Sequence, residues 1–267
     1  MKNREKLSQE IIAKQEFSYF ATKHAGGLKS TIELIELCNI NKDSYVLDAG
    51  CGVGTTACYL AKKYGCRVIG IDILERMIKW SKQKAKKEGL EDRVEFRIAN
   101  AQNLPFEDAL FDVVIGEAVN AFVEDKQKAM REYVRVTKPG GFVGLHEATW
   151  LKTSPPKEVL ESFAKLHKLL YDVGLEGYGK WVNEFSADGW KNLLQSAGLK
   201  DIVVRTYKTN PKNDIIDRIK LIGPWRILKT YFIYFTNPEY RALTKKVVLP
   251  KIATEYYGYG TYVGKKY

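Results

Sequence analysis

This chain is poor in the residues that metal, redox and secreted-protein chemistry require. It has three histidines and four cysteines in 267 residues. Cys38, Cys51, Cys58 and Cys66 lack metal-ligand spacing, and no His-Cys-Cys set suited to zinc occurs. They are read as reduced thiols, which points to the cytoplasm. Long hydrophobic runs are missing too. The most apolar stretch, Leu221 to Phe235, carries Arg226 and Lys229 and is too short to span a bilayer. No apolar segment follows Met1-Lys2-Asn3-Arg4-Glu5-Lys6, so no signal peptide is expected. Internal repeats and low-complexity tracts are absent as well.

Acidic charge is in short supply: 43 basic residues face 32 acidic ones, a net charge of +11. The excess is local. Between Arg205 and Lys251, eleven basic residues meet only Asp214, Asp217 and Glu239, a surplus of eight. Such a field draws nucleic acid, anionic lipid or acidic substrates, and it also suits a plain solvated face. With 45% hydrophobic and 28% charged residues, the composition is that of an ordinary globular protein. The length suits one large α/β domain with insertions, or two small domains.

The chain is organised around Tyr45-Val46-Leu47-Asp48-Ala49-Gly50-Cys51-Gly52-Val53-Gly54. A short apolar run stopped by glycines reads as a buried strand entering a tight loop. Thr55 to Lys63 then reads as a helix. A strand, glycine turn and helix in this order are expected to turn backbone N–H groups and a helix N-terminus toward a ligand. Further strands are read at Cys66–Asp72, Arg93–Asn100, Phe111–Gly116, Phe142–Glu147, Ile202–Tyr207 and Gly260–Gly264. Helices are read at Lys2–Ala25, Leu28–Cys38, Glu75–Glu88, Asp125–Val136, around Val159–Tyr171, and from Ser186 to Gly198. The alternation predicts an α/β fold: a doubly wound, mostly parallel sheet of seven strands with helices on both faces. The glycine turn then falls at the carboxyl edge, near the point where strand order reverses.

The turn has glycines at 50, 52 and 54, a G-x-G-x-G pattern, where the dinucleotide fingerprint wants G-x-G-x-x-G. Asp72 ends the next strand, where an acid can accept from both hydroxyls of a ribose. With Val46 to Gly54, Ile71-Asp72, Asn100 to Phe106, Phe111-Asp112 and Arg135 to Gly141 in hand, the chain closely resembles the class I S-adenosylmethionine-dependent methyltransferases. The resemblance covers residues 28–148, extending weakly to 186–209 and 258–266. It is to the small-molecule branch that includes ubiquinone/menaquinone, sterol and sarcosine-type enzymes.

The resemblance implies a division into an N-terminal helical lid (1–27), a cofactor-binding core (28–148), a substrate-side insertion (149–185), a continuation of the core (186–209), a basic aromatic cap (210–257) and a last strand (258–267). It implies S-adenosyl-L-methionine as cofactor. Gly50, Cys51 and Gly52 would approach its methionine part, with Asp48 holding the loop and Glu117 beside the methionine end. Asp72 would take the ribose, Ile73 and Met77 would line the adenine, and Asn100, Ala101 and Gln102 would meet its edge. The family usually has aspartate where Asn100 stands, so one acceptor for the adenine amino group is lost here. Tyr19, His24, His146 and Glu147 are the candidate proton-handling groups, with ordinary packing as the competing reading for Tyr19, His24 and His146; Asn120, Phe122 and Trp150 are the candidate pocket lining, which core packing would explain equally well.

Sulfonium methyl transfer is an in-line displacement. A base is therefore optional, and the protein mainly aligns the reactants and excludes water. Neither Asn-Pro-Pro-Tyr nor Asp-Pro-Pro-Tyr occurs to hold a flipped base or amide. The expected acceptor is small or lipid-like, with RNA, or cofactor binding without transfer, as alternatives. The 210–257 segment would cap the substrate or rest on an anionic membrane surface, with nucleic-acid contact the weaker reading.

Overall fold

The structure is a computed structural model that describes residues 26–152, 155–172, 186–209 and 252–267, with isolated positions between 225 and 241. Tyr19, His24, most of the predicted lid and most of the predicted cap lie outside the described residues. In chain order the elements are α1 (Gly27–Leu37), β1 (Tyr45–Ala49), α2 (Thr55–Tyr64), β2 (Arg67–Asp72), α3 (Glu75–Glu88), β3 (Val94–Ile98), β4 (Phe111–Glu117), a 3-10 turn (Asn120–Phe122), α4 (Lys126–Val136), β5 (Thr137–Trp150), α5 (Lys157–Asp172), α6 (Ala187–Ser196), β6 (Lys200–Lys208), α7 (Ala253–Tyr256) and β7 (Tyr257–Lys265).

The strands form one sheet in the order β3-β2-β1-β4-β5-β7-β6. The first five run parallel, and β7 pairs antiparallel with both β5 and β6. Strand order reverses between β1 and β4, so a crevice opens at their carboxyl ends, where open α/β sheets bind ligands. The expected seven-stranded, doubly wound sheet is therefore present.

Alternating residues of the central strands feed two apolar layers. Val46, Val68, Val113 and Ile115 pack with Leu34, Ile35, Leu60 and Ile78 of α1, α2 and α3. Leu47, Ile69, Val114 and Leu145 pack with Met130 and Tyr133 of α4 and Trp190 and Leu194 of α6. Burying each such side chain contributes about 1.5–3 kcal/mol. The apolar spacing along each helix thus decides which face of the sheet it covers. Trp190 is fully buried and satisfies its indole N–H by donating to the Ala148 carbonyl at 3.1 Å.

Several motif residues serve the end of the sheet away from the crevice. Asp112 accepts from the Tyr45 backbone N–H at 2.8 Å and pairs with Lys138 Nζ at 2.7 Å, tying the starts of β1, β4 and β5. Arg135 bonds Glu132, Asp108 and the carbonyls of Leu104 and Phe106. A Cβ on Gly141 would lie 2.5 Å from the Asp112 carbonyl, so this turn needs glycine for packing.

Two strands are longer than their sequence suggested. β5 runs from Thr137 to Trp150 and β7 from Tyr257 to Lys265: the two pair with each other from Phe142↔Lys265 through Trp150↔Tyr257, and Thr137 at the start of β5 pairs with Phe111 of β4. The last β4 pair is Glu117↔His146. The β5–β7 ladder therefore rises four residues, about 13 Å, past the end of β4.

Candidate functional site

The crevice is built from four strand ends and the glycine turn. The turn's three glycines all have positive φ, at 74°, 52° and 76° for Gly50, Gly52 and Gly54. A Cβ on Gly50 would stand 2.2 Å from Val119, and one on Gly54 would stand 2.6 Å from Phe96. Gly54 therefore admits close packing against β3, while Gly50 lets the turn meet the loop after β4.

The turn does not present its amides as a nest. The N–H groups of Gly50 and Cys51 both donate to the Ile71 carbonyl at 2.8 Å, and that of Gly52 donates to Asp72 Oδ2 at 3.1 Å. For Gly50, Cys51 and Gly52 this differs from the expectation that backbone N–H groups face the ligand: β2 lies close enough to take all three. Cys51 is buried, and burial pushes its thiol well above the ordinary value.

Asp72 sits at the end of β2 and also accepts from the Leu74 N–H at 2.9 Å. Each carboxylate oxygen keeps a lone pair for another donor. Burial raises its pKa, with the N–H groups of Leu74, Gly52 and Ile73 pulling the other way. Beside it, Ile73 is 64% exposed, an apolar surface open at the mouth of the crevice, and Met77 is half-buried nearby in sequence on α3. Asn100 is exposed, and its Oδ1 already accepts from the Gln102 N–H at 2.9 Å. Ala101 and Gln102 follow, half-buried, in the same turn.

On the other side, Asp48 is buried at 2% exposure. Its Oδ2 is a buried polar atom with no hydrogen-bond partner among the described residues. Burial, then the charge of Glu117, pushes this carboxyl well above its ordinary value, against the pull of the Ala57 N–H. Glu117 ends β4 and accepts from Thr31 Oγ1 at 2.9 Å and Thr56 Oγ1 at 2.6 Å, joining α1 to α2. Two acids so placed favour a cation between the strand ends.

Next to Glu117 in the sheet, His146 is buried at 1% exposure, its Nδ1 3.2 Å from Thr261 Oγ1 and its ring 5.2 Å from that of Tyr259. Glu147 points to the opposite layer. Its Oε1 accepts from the N–H groups of Val119 (3.1 Å) and Asn120 (2.8 Å) and from Asn120 Nδ2 (2.9 Å), and its Oε2 lies 3.4 Å from the Ala121 N–H. Burial lifts it to about 7 against those donors. Asn120 is buried in this contact, Phe122 is half-buried, and Trp150 stands at the top of β5. The site thus brings together Asp48, Gly50, Cys51, Gly52 and Asp72 around the turn, with Glu117 and His146 one and two strands over. Glu147 and Asn120 instead bind each other and fix the 119–121 backbone. Thr31, Thr56, Glu33 and Thr261 did not stand out in the sequence, since single threonines and surface glutamates carry no local signal.

A sequence profile described as a methyltransferase domain matches residues 47–145, from within β1 to within β5. A Haemophilus influenzae protein of no stated function is 35% identical over 233 residues, 81% of this chain and 88% of that protein. The chain belongs to the class I S-adenosylmethionine-dependent methyltransferases. Methyltransferase GfsG of Streptomyces halstedii is 31% identical over 69% of this methyltransferase and 65% of GfsG. Tocopherol O-methyltransferase of Arabidopsis thaliana is 34% identical over 62% of the chain and 46% of that enzyme. The chain thus spans less than two thirds of the length of these named relatives. Among solved structures, Haemonchus contortus phosphoethanolamine N-methyltransferase 2 with bound S-adenosyl-L-methionine has a TM-score of 0.72 at 18% identity, covering 97% of this chain and 60% of that one. The [4+2]-cyclase SpnF also reaches 0.72 at 18% identity, over 98% and 96% of the two chains. A shared fold alone therefore does not select the chemistry.

The residues present fit the cofactor of this family. Asp48 Oδ2, without a hydrogen-bond partner among the described residues, and the Glu117 carboxylate, held by Thr31 and Thr56, suit a cationic amino acid end; Asp72 suits a ribose, and exposed Ile73 suits an apolar ring face.

Proposed function

We propose that this methyltransferase moves the methyl group by in-line displacement onto a small, largely apolar acceptor held against the β5–β7 wall. The observation that carries this reading is the aromatic cluster on that wall. Trp150 meets Phe163 of α5 at 5.0 Å and Tyr257 at 5.6 Å between ring centroids, and Phe163 meets Tyr257 at 4.6 Å. The cluster stands above the end of β4, on the side of the crevice away from Asp72. An apolar surface there suits a ring or chain, and it excludes water from the reacting atoms.

S-adenosylmethionine supplies an already electrophilic methyl group, so the chain's residues have to position and exclude rather than activate it. Asp72, Ile73 and Asn100 would hold its nucleoside, and Asp48 and Glu117 its amino acid end. Relatives are named for tocopherol, norajmaline and phosphoethanolamine, acceptors with hydroxyl or amine nucleophiles. That range supports the small-molecule class without choosing among its members.

The test is transfer of labelled methyl from S-adenosylmethionine to three acceptors: a chromanol phenol, phosphoethanolamine and unmodified tRNA. Transfer to a small acceptor is expected, and for an apolar one Trp150→Ala should raise KM about tenfold, in line with ~1.4 kcal/mol of lost contact. Transfer to tRNA alone would overturn the reading.

A lipid-like acceptor has separate support. Trp225, Leu228, Phe232 and Phe235 are 82%, 58%, 67% and 67% exposed at helical positions spaced three and four apart, within the segment of greatest basic surplus. Apolar and cationic groups together suit an anionic bilayer surface. Sedimentation with phosphatidylglycerol vesicles, lost with Phe232→Asp and weakened by salt, is the expected outcome; equal sedimentation with phosphatidylcholine vesicles counts against it.

A further inference from the structure

The segment 118–125, between β4 and α4, touches two turns that bound the crevice. At one end the Val119 side chain fills the space beside Gly50, where a Cβ would come within 2.2 Å of it. At the other end the Asp125 N–H donates to Gln102 Oε1 at 3.0 Å, in the turn after β3. Gly50 belongs to the turn that would take the methionine part of the cofactor, and Gln102 to the turn that would meet the adenine edge. Gly50 cannot brace itself. It has no side chain and a φ of 74°, so its backbone is held by what packs against it.

The segment is itself under strain. Ala118 has a φ of 53°, in the left-handed region that residues with a Cβ avoid. Such a backbone persists only where its surroundings over-determine it. Here β5 does so. The Ala118 N–H donates to the His146 carbonyl at 2.7 Å. The next three N–H groups, of Val119, Asn120 and Ala121, all face the Glu147 carboxylate, at 3.1, 2.8 and 3.4 Å. Asn120 Nδ2 adds a bond at 2.9 Å while lying against Gly116, where a Cβ would come within 2.7 Å of it. Glu147 is 1% exposed, so water offers these donors no substitute.

We propose that Glu147 is a positioning residue for the cofactor: by holding residues 118–121 it keeps Val119 against Gly50 and Asp125 on Gln102, and so fixes the spacing of the two turns that take the ends of S-adenosylmethionine. Glu147 acts through the segment and not by contact with the ligand. Coupling between two sites is reciprocal, so cofactor binding must in turn tighten the hold on the segment. The proposal does not depend on which acceptor is methylated.

Two measurements test it, and neither uses an acceptor, so failure here and failure of the proposed acceptor class are told apart. The first is calorimetric titration with S-adenosylhomocysteine. Glu147→Leu leaves several donors without an acceptor, and affinity should fall about thirty- to a hundredfold. Glu147→Gln keeps a carbonyl oxygen for the Val119 and Asn120 N–H groups and should bind within about threefold of the unaltered protein. Asp112→Ala removes an acid that holds a backbone N–H at the far end of the sheet. It should lower Tm and leave affinity unchanged. Unchanged affinity in Glu147→Leu, or an equal fall in Asp112→Ala, would overturn the proposal. The second measurement is hydrogen–deuterium exchange of the unaltered protein, which decides even if Glu147→Leu does not fold. S-adenosylhomocysteine should slow exchange of the Val119 and Asn120 amides about tenfold, although both are donated to Glu147 and not to the ligand. Exchange at these amides unmoved by saturating ligand would show the segment and the cofactor turns to be independent, and would overturn it.

Discussion

Glu147 grips Asn120 twice, with one carboxylate oxygen accepting from both its backbone N–H at 2.8 Å and its side-chain Nδ2 at 2.9 Å. The same oxygen takes the Val119 N–H at 3.1 Å. The loop that meets Gly50 is thereby fixed to β5 by one buried acid. Removing the acid strands several buried donors at once.

Glu147→Ala is expected to destabilise the protein by roughly 3 kcal/mol, the scale for buried donors left without partners. The group also gives a pH signature. Its folded pKa is about 7 against an ordinary 4.5, raised by burial. The folded state then holds this proton more tightly than the unfolded chain, so its contribution to stability falls as pH rises from about 4.5 to 7 and stays low above that. Thermal melts across this window should show a downward slope that Glu147→Gln flattens. A slope unchanged in the variant would assign it to other groups.

Asp72 accepts from Gly52 and Leu74 and has lone pairs to spare for a ribose. Asp72→Ala should weaken S-adenosylmethionine binding by about 2–4 kcal/mol, a loss of roughly thirty- to a thousandfold, as two hydrogen bonds to a charged group disappear. Calorimetric titration measures this. Unchanged affinity would remove Asp72 from the cofactor site.

Asn100 is already bonded to its own turn through Oδ1. Asn100→Asp keeps an acceptor for the Gln102 N–H and adds a second acceptor that can face the adenine amino group. Binding of S-adenosylmethionine should tighten three- to tenfold, about 1 kcal/mol. A weaker complex would show that the amide of Asn100, not its oxygen, is what the adenine edge meets.

Gly50 combines a φ of 74° with a Cβ position 2.2 Å from Val119. Gly50→Ala should cost about 1–2 kcal/mol from the left-handed backbone alone, with more from the clash. A fall of several degrees in Tm and loss of cofactor binding are expected together. A stable variant that still binds would mean the turn can shift away from the loop after β4.

Much of the fold was readable from local pattern. β1, β2 and β4 are short apolar runs bounded by glycine or acid, and their burial follows from that composition alone. The helix ends at Gly65 and Gly89 are marked by glycines in left-handed conformation. The full lengths of β5 and β7 were not readable. Trp150 and Tyr257 are strand residues because they pair with each other across 107 positions, and nothing near either one announces it. At the site, Asp48, Gly50 and Asp72 carried their signal in spacing from one another. Glu147 carried none that separates a proton-handling acid from a loop anchor, because the difference lies in which N–H groups surround it.

The sequence by itself determined the mostly parallel sheet, through apolar periodicity along short stretches of chain, and pointed to the methyl donor through the family resemblance that three glycines, an acid at the next strand's end and the later motifs carry. Tertiary structure decided which way each polar group turns. It sent the amides of the glycine turn to β2, gave Glu147 to the 119–121 backbone, and set His146 beside Thr261 and Glu33. Hydrogen-bond partners are fixed by position in space. When partners stand over a hundred residues apart, only the assembled sheet brings them within 3 Å or so of each other.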